Sequence, residues 1–286
     1  YQDRDFTLGQ RLLTEFRVVV FYLSLIFFPH PSRLNLDHHF LISTSLLTPV
    51  VTLLSMAVII GLIGLSVGLA QRYRLLSFCI LWFLGNLVIE SSVVALEIAF
   101  EHRNYLPSIG LLLPLFFYLG YGGEPSKYTR MRIALMVIII LLFAMQTHLR
   151  AQTWSNNVQL YLMNVQFHPN SPRANYEAGK IFGQLLERGQ GNPQVNYQQA
   201  IKYFERTTAL RNNTTSGLFG SILASIDSGH AIKPEWIDEL AHRLANKPLE
   251  QVNLLWLDKL TECVSKGKCH KEDLQLPRLL TAAICY

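Results

Sequence analysis

Five ionisable side chains sit in a stretch where the flanking sequence is strongly apolar: Glu90, Glu97, Glu101, His102 and Arg103, followed by Asn104 and Tyr105. Ionisable groups at membrane depth are costly and mark function more often than decoration. If residues 90–101 are helical, the three carboxylates stand at i, i+7 and i+11. They then fall within roughly 40° of one face and form an acidic stripe that needs water or cations. Asn104 and Pro107 end such a helix and free His102 and Arg103 to turn outward. An arginine there is suited to a phosphate or pyrophosphate, which its planar fork binds in bidentate fashion. A neighbouring carboxylate could fix that arginine or act as a base toward an acceptor hydroxyl. The competing reading of the same residues is a buried salt-bridge network that holds helices together.

Asp37, His38 and His39 form a second polar group, fit for acid–base or metal chemistry or simply for a loop. Glu15, Arg17 and Arg33 read as side chains that snorkel to headgroup level. Cys263 and Cys269, six residues apart across a helix end, are a disulfide candidate, with free thiols the alternative. Their spacing is not that of a zinc site, and no metal is expected. Cys79 lies in an apolar run and reads as a small buried hydrophobe.

The elements that must position these residues follow from composition. Half of the 286 residues are hydrophobic, only 16% are charged, and the mean hydropathy is +0.23. Charge is segregated: the long apolar runs lie before about residue 150 and the polar sequence after it. Two regions are therefore expected, a membrane domain over 1–150 and a soluble domain over 151–286. The net charge of +5 is scattered, with no Lys/Arg-rich run, so a nucleic-acid partner is not expected. The start at Tyr1 shows no signal-peptide pattern and reads as that of a fragment.

Within the first region the apolar core Val18–Phe28 is about half the ~20 residues that a span needs. It reads as a re-entrant or interfacial helix, with an ordinary span the alternative. Four spans are expected: Thr48–Ala70, Leu75 to about Phe100, Leu106–Tyr121 around Pro114, and Ile133 to about Thr147. Gly61, Gly64 and Gly68 carry a small-xxx-small pair that permits close helix packing. The short loops at 71–74 and 122–132 hold five Lys/Arg and one acid, Glu124, which makes them cytoplasmic. The 101–104 hinge, the 30–47 loop and the C-terminal region then face outward. In a bacterium that is the inner membrane with a periplasmic C-terminal domain; in a eukaryote it is the endoplasmic reticulum membrane and lumen. Overlapping sequons begin at Asn212 and Asn213.

From Trp154 apolar residues recur at helical spacing between Pro/Gly/Asn clusters. The run Arg173–Gly179 with Ala200–Phe204 has the pattern of one tetratricopeptide unit, in which Ala178, Gly179 and Ala200 let two helices touch and Phe204 fills the gap. The stretch Glu187–Asn196 reads as an insertion. Further helices are expected near 215–228, 234–246, 248–265 and 273–285, without the repeat signature. The fold class is all-α: a polytopic membrane domain followed by a helical-repeat solenoid.

Phe28-Pro29, the Leu34–His38 run, the Glu101–Gly110 stretch and the repeat unit, taken together, resemble the transmembrane and tetratricopeptide-repeat O-mannosyltransferase-like family and its bacterial GT-C-type glycosyltransferase relatives. The resemblance covers about residues 8–210. It implies a polyprenyl-phosphate-linked sugar as donor, no further cofactor, and a protein acceptor held by the repeats. It implies that Glu101, His102, Arg103 and Tyr105 are donor-proximal, supported by Glu90, Glu97, Arg33, Asp37 and His38. Such enzymes carry their catalytic acidic residue in a first outward loop, which has no counterpart before residue 8, so no catalytic residue is carried over. The alternative without catalysis is a membrane-anchored repeat adaptor of an envelope or secretion complex.

Overall fold

The computed structural model describes residues 6–35, 38, 40–94, 96–120, 128–211, 214–246, 251–267 and 269–284. Asp37, His39, Asn212 and Asn213 lie outside them. The described residues are all-α, without a strand. They divide into two compact units, Tyr1–Thr153 and Trp154–Tyr286.

The first unit holds α1 (Leu8–Phe27), α2 (Val51–Leu69), α3 (Arg74–Val88), α4 (Tyr105–Gly120) and α5 (Thr129–Trp154), whose last residue opens the second unit. A capping box starts α1: Gln10 N–H donates to Thr7 Oγ1 (3.3 Å) and Thr7 N–H to Gln10 Oε1 (2.9 Å). Val18, Val19, Tyr22, Leu25 and Ile26 of α1 build the core with Phe83 and Leu87 of α3 and Ala99. The second turn of α1 is tied to the start of α2 through Ser43: its N–H donates to Thr14 Oγ1 (2.9 Å), and its Oγ meets Thr52 Oγ1 at 2.8 Å.

Two of the four expected spans are long and apolar enough to cross a membrane, α2 and α5. The 15 residues of α3 and 16 of α4 fall short of the ~20 that a bilayer core requires. The expected second span ends at Val88 because residues 89–94 and 96–100 are not helical. The first apolar segment is one continuous helix of 20 residues with a polar first half, and α5 runs through the expected domain boundary at 150.

Close packing falls elsewhere than the glycine pattern in α2 indicates. A Cβ at Gly61, Gly64 or Gly68 would meet nothing within 4 Å. A Cβ at Gly110 would stand 2.6 Å from the Cys79 carbonyl oxygen and 2.9 Å from Trp82 Cδ1. Here α4 lies directly on the α3 backbone, and Trp82 Nε1–H donates to the Leu106 carbonyl at 3.1 Å.

The second unit holds α6 (Asn157–Phe167), α7 (Pro172–Glu187), α8 (Pro193–Leu210), α9 (Ser216–Ser228), α10 (Pro234–Ala245), α11 (Gln251–Ser265), α12 (Lys271–Leu274) and α13 (Leu276–Ile284). Side chains of Asn156, Ser171 and Asn192 cap α6, α7 and α8, and proline opens α7, α8 and α10 where its missing N–H costs nothing. Phe204 is the wedge: its ring lies 2.7 Å from where a Cβ of Gly179 would be and 2.6 Å from one on Gly220. Three helices, α7, α8 and α9, thus share one buried ring. Half of the residues read as an insertion extend the two helices, and 188–192 lie between them.

Candidate functional site

The acidic stripe does not form. Residues 89–94 and 96–100 are turns and irregular chain, so their carbonyls need partners from outside the segment. Arg11, fully buried on α1, supplies three of them. Its Nη2 donates to the Glu90 carbonyl (2.9 Å), its Nε to Ser92 (3.2 Å) and its Nη1 to Leu96. Arg11 Nη2 also lies 3.0 Å from Glu15 Oε1, one turn along. Tyr22 completes the anchor: its hydroxyl donates to the Phe100 carbonyl (2.9 Å) and accepts from Phe100 N–H (2.8 Å), while Asn104 Nδ2 donates to the Tyr22 carbonyl (3.0 Å). Unwound backbone in a membrane protein is tolerated where protein groups satisfy it, and α1 provides that service here.

This corrects the snorkelling assignment of Glu15 and Arg17. Glu15 is buried beside Arg11, and Arg17 Nη1 donates to the Leu41 carbonyl (2.6 Å) and Ser43 Oγ (3.3 Å). Arg33 turns inward as well: its Nη2 binds Ser24 Oγ and its guanidinium lies 5.3 Å from the Phe21 ring centre. A sequence signal for Arg11 existed. Arg11, Glu15, Val18, Tyr22 and Leu25 are spaced 4, 3, 4 and 3, one face of one helix, and that face is the buried one.

The hinge residues separate into three environments. Arg103 is engaged in structure: its side chain is 6% exposed, Nε lies 3.2 Å from Glu90 Oε2, Nη1 donates to the Glu97 carbonyl (2.6 Å), and the guanidinium covers the Phe100 ring at 5.2 Å. His102 is exposed and stacks on the other ring contact of Phe100, 5.2 Å between centres. Tyr105 is 80% exposed at the start of α4.

Glu101 is where chain segments converge. Its Oε1 is 3.1 Å from His38 Nε2, and its Oε2 binds Arg150 of α5. The His38 side chain is nearly buried, edge-on to Phe21 at 5.1 Å. Arg150 keeps 29% of its side chain exposed. One turn before it, Gln146 Nε2 binds the Pro29 carbonyl. Gln146 also lines an apolar cleft of about 430 Å³ with Phe27, Phe28, Ile139, Leu142 and Phe143. A half-exposed guanidinium thus stands one helical turn from an apolar slot. Such a pair can hold an amphiphile: the tail loses water in the slot, and the guanidinium meets an anionic head.

The second unit has its own cleft, about 370 Å³, between α7, α9 and α11. Tyr176, Phe204 and Trp256 form its apolar part, and lysines and carboxylates its rim. A disulfide joins Cys263, on that wall, to Cys269. Among the described residues no group of three or more His, Cys, Asp or Glu could hold a metal. No protein-family model, curated protein or solved structure matches this chain.

Proposed function

We propose that the chain is part of a membrane glycosyltransferase of the O-mannosyltransferase-like kind, moving a sugar from a polyprenyl-phosphate donor to a protein acceptor held by the second unit. The membrane reading is supported by α2 and α5, whose apolar surfaces are largely exposed and which a bilayer would cover. The donor reading is carried by one observation, the apolar slot between the end of α1 and the middle of α5, set one turn from Arg150 and its carboxylate partner Glu101. The prenyl chain would lie in the slot and the phosphate would compete with Glu101 for Arg150. Glu101 and His38 would then be left as a carboxylate–imidazole pair beside the phosphate. Arg103, locked by Glu90, would hold the hinge rather than the ligand. The second unit's cleft, with aromatic floor and mixed-charge rim, suits a polypeptide. The hinge would face the periplasm, or the lumen in a eukaryote, with the second unit on the same side.

The test is donor binding to the protein in nanodiscs, with a polyprenyl-phosphate mannose as probe. Arg150→Ala should weaken binding tenfold or more, on the order of the loss of a charge-assisted bidentate contact. Arg103→Ala should lower stability first. Binding of the donor to Arg150→Ala as tightly as to the parent would remove the donor reading. A Tyr105→Cys variant should label from the outer side of oriented vesicles.

A second reading is a membrane-anchored adaptor without catalysis. It is favoured by the engagement of Glu101, His38 and Arg103 in contacts that also serve a purely structural end. It expects no donor binding at all, and partner capture that depends on the second unit's cleft.

A further inference from the structure

The walls of the second unit's cleft are not all fastened alike. Its α7 side and its α9 side are fastened to each other through Phe204, which is buried against Gly179 and Gly220. The α11 side is different. Trp256, Lys259, Glu262, Cys263 and Lys266 follow each other at steps of 3, 3, 1 and 3, so one face of α11 lines the cleft. What holds that face in place is a short set of contacts. Leu257 and Leu260 are buried in the core, Thr215 Oγ1 meets Asn253 Oδ1 at 2.5 Å, and the Trp256 ring stacks on Phe219 with 6.3 Å between centres. All of these lie in the first ten residues of the helix. Past Leu260 the wall is tied to the unit by the partly buried Val264, which packs against the same core, and by the Cys263–Cys269 disulfide, whose Cys269 packs there too. Both cysteines are partly exposed, so a reductant can reach the bond.

We propose that the Cys263–Cys269 disulfide is a redox-sensitive tether that sets the position of the α11 wall and thereby opens or closes the cleft. Reduction proceeds by exchange with a dithiol, such as a Cys-x-x-Cys oxidoreductase. A thiolate of the dithiol attacks one sulfur, the protein S–S bond breaks, and the other sulfur leaves as a thiolate and takes up a proton. The second thiol of the reductant resolves the mixed disulfide and releases the first cysteine. The protein gains two electrons and two protons, and the dithiol departs as its own disulfide. With the tether cut, the last turn and a half of α11 keeps only the partly buried Val264 against the core, and Cys263 lines the cleft as a free thiol. The device fits a compartment where disulfides form and are edited.

Hydrogen exchange on the full chain in nanodiscs tests this, with the oxidised protein compared with the same protein under excess dithiothreitol. Removal of a cross-link that closes so short a loop should speed exchange at 261–266 roughly 10- to 50-fold, while amides of α8 and α9 stay within about twofold. The Cys263→Ser/Cys269→Ser variant should reproduce the reduced pattern without reductant, and Trp256 emission should shift in both. Unchanged exchange at 261–266 would overturn the proposal. So would equal acceleration throughout the second unit, because the disulfide would then act as a general staple. Resistance to dithiothreitol in the folded protein would overturn it too.

Discussion

Two arginines do the same work in the two units. Arg11 gathers the carbonyls of Glu90, Ser92 and Leu96 and pairs with Glu15. Arg243 gathers those of Thr208 (3.3 Å), Arg211 (3.1 Å) and Thr214 (2.6 Å) at the end of α8 and pairs with Glu239 at 2.7 Å. In each case a rigid fork replaces hydrogen bonds that the backbone has given up, and a carboxylate one turn away balances the charge. Arg11→Met should cost about 3–5 kcal/mol, because Glu15 is left buried and unbalanced together with three carbonyls. Denaturant unfolding in detergent measures this, and Arg11→Lys should recover only part of it. At high pH the second unit should weaken first through Tyr176, whose hydroxyl is pushed up to about 12 by burial. Burial also pushes Tyr203 up, and a hydrogen bond to Glu205 holds Lys233 up. Each folded-state value lies above the unfolded one. The stability they contribute is therefore complete below about pH 10 and is lost as the pH rises toward 12. Tyr176→Phe should flatten that decline by at most about 2 kcal/mol, read from unfolding midpoints across the range.

At the scale of helices, glycine matters where two backbones meet. In α2 the pattern of Gly61, Gly64 and Gly68 faces open space, whereas Gly110 in α4 touches the α3 backbone. Gly110→Ala must push a backbone carbonyl aside and should cost about 1–3 kcal/mol or more. Gly61→Ala and Gly64→Ala should leave stability unchanged or raise it by about 0.5–1 kcal/mol, since alanine favours a helix. Parallel thermal unfolding of the three variants decides the matter; a loss at Gly61 larger than at Gly110 would mean that α2 packs against another chain. The same comparison explains why α3 is short. A helix through residues 89–100 would form its own hydrogen bonds, but Arg11, Tyr22 and Arg103 offer competing partners and hold the carbonyls of Glu90, Ser92, Leu96, Glu97 and Phe100.

The molecule as a whole joins two cores of different kinds. The first is a small cluster around α1, with the remaining apolar surface of α2 and α5 left exposed. The second is a contiguous core from Ala200 to Ala283, with amphipathic helices and polar outer faces. A core of that kind needs no lipid. The chain from Trp154 onward, expressed by itself, should therefore fold as a helical unit with a cooperative denaturation curve. The chain up to Thr153 should need detergent or lipid to stay dispersed. Circular dichroism and light scattering of the two pieces check both outcomes, and a C-terminal piece without a cooperative transition would contradict the division.

The sequence by itself determined the all-α class, the change of texture near residue 150, the helix pair around Phe204, and the helices at 216–228, 234–245 and 251–265, but not the break at Gln275 that divides the expected 273–285 helix into α12 and α13. These are local properties: apolar spacing, caps and prolines act within a few residues and need no knowledge of neighbours. Glu101 was legible as a point of interest because a charge in apolar sequence is costly wherever it lies. Its partners were not legible. His38 and Arg150 are 63 and 49 residues away in sequence, and only the folded chain, which sets His38 against Phe21 of α1 and brings Arg150 of α5 to the hinge, gathers them on one carboxylate. The same holds for Arg103, which reads in the sequence as a phosphate ligand. Whether a guanidinium meets a ligand or a carbonyl depends on which backbone has come unwound beside it, and tertiary structure alone decides that.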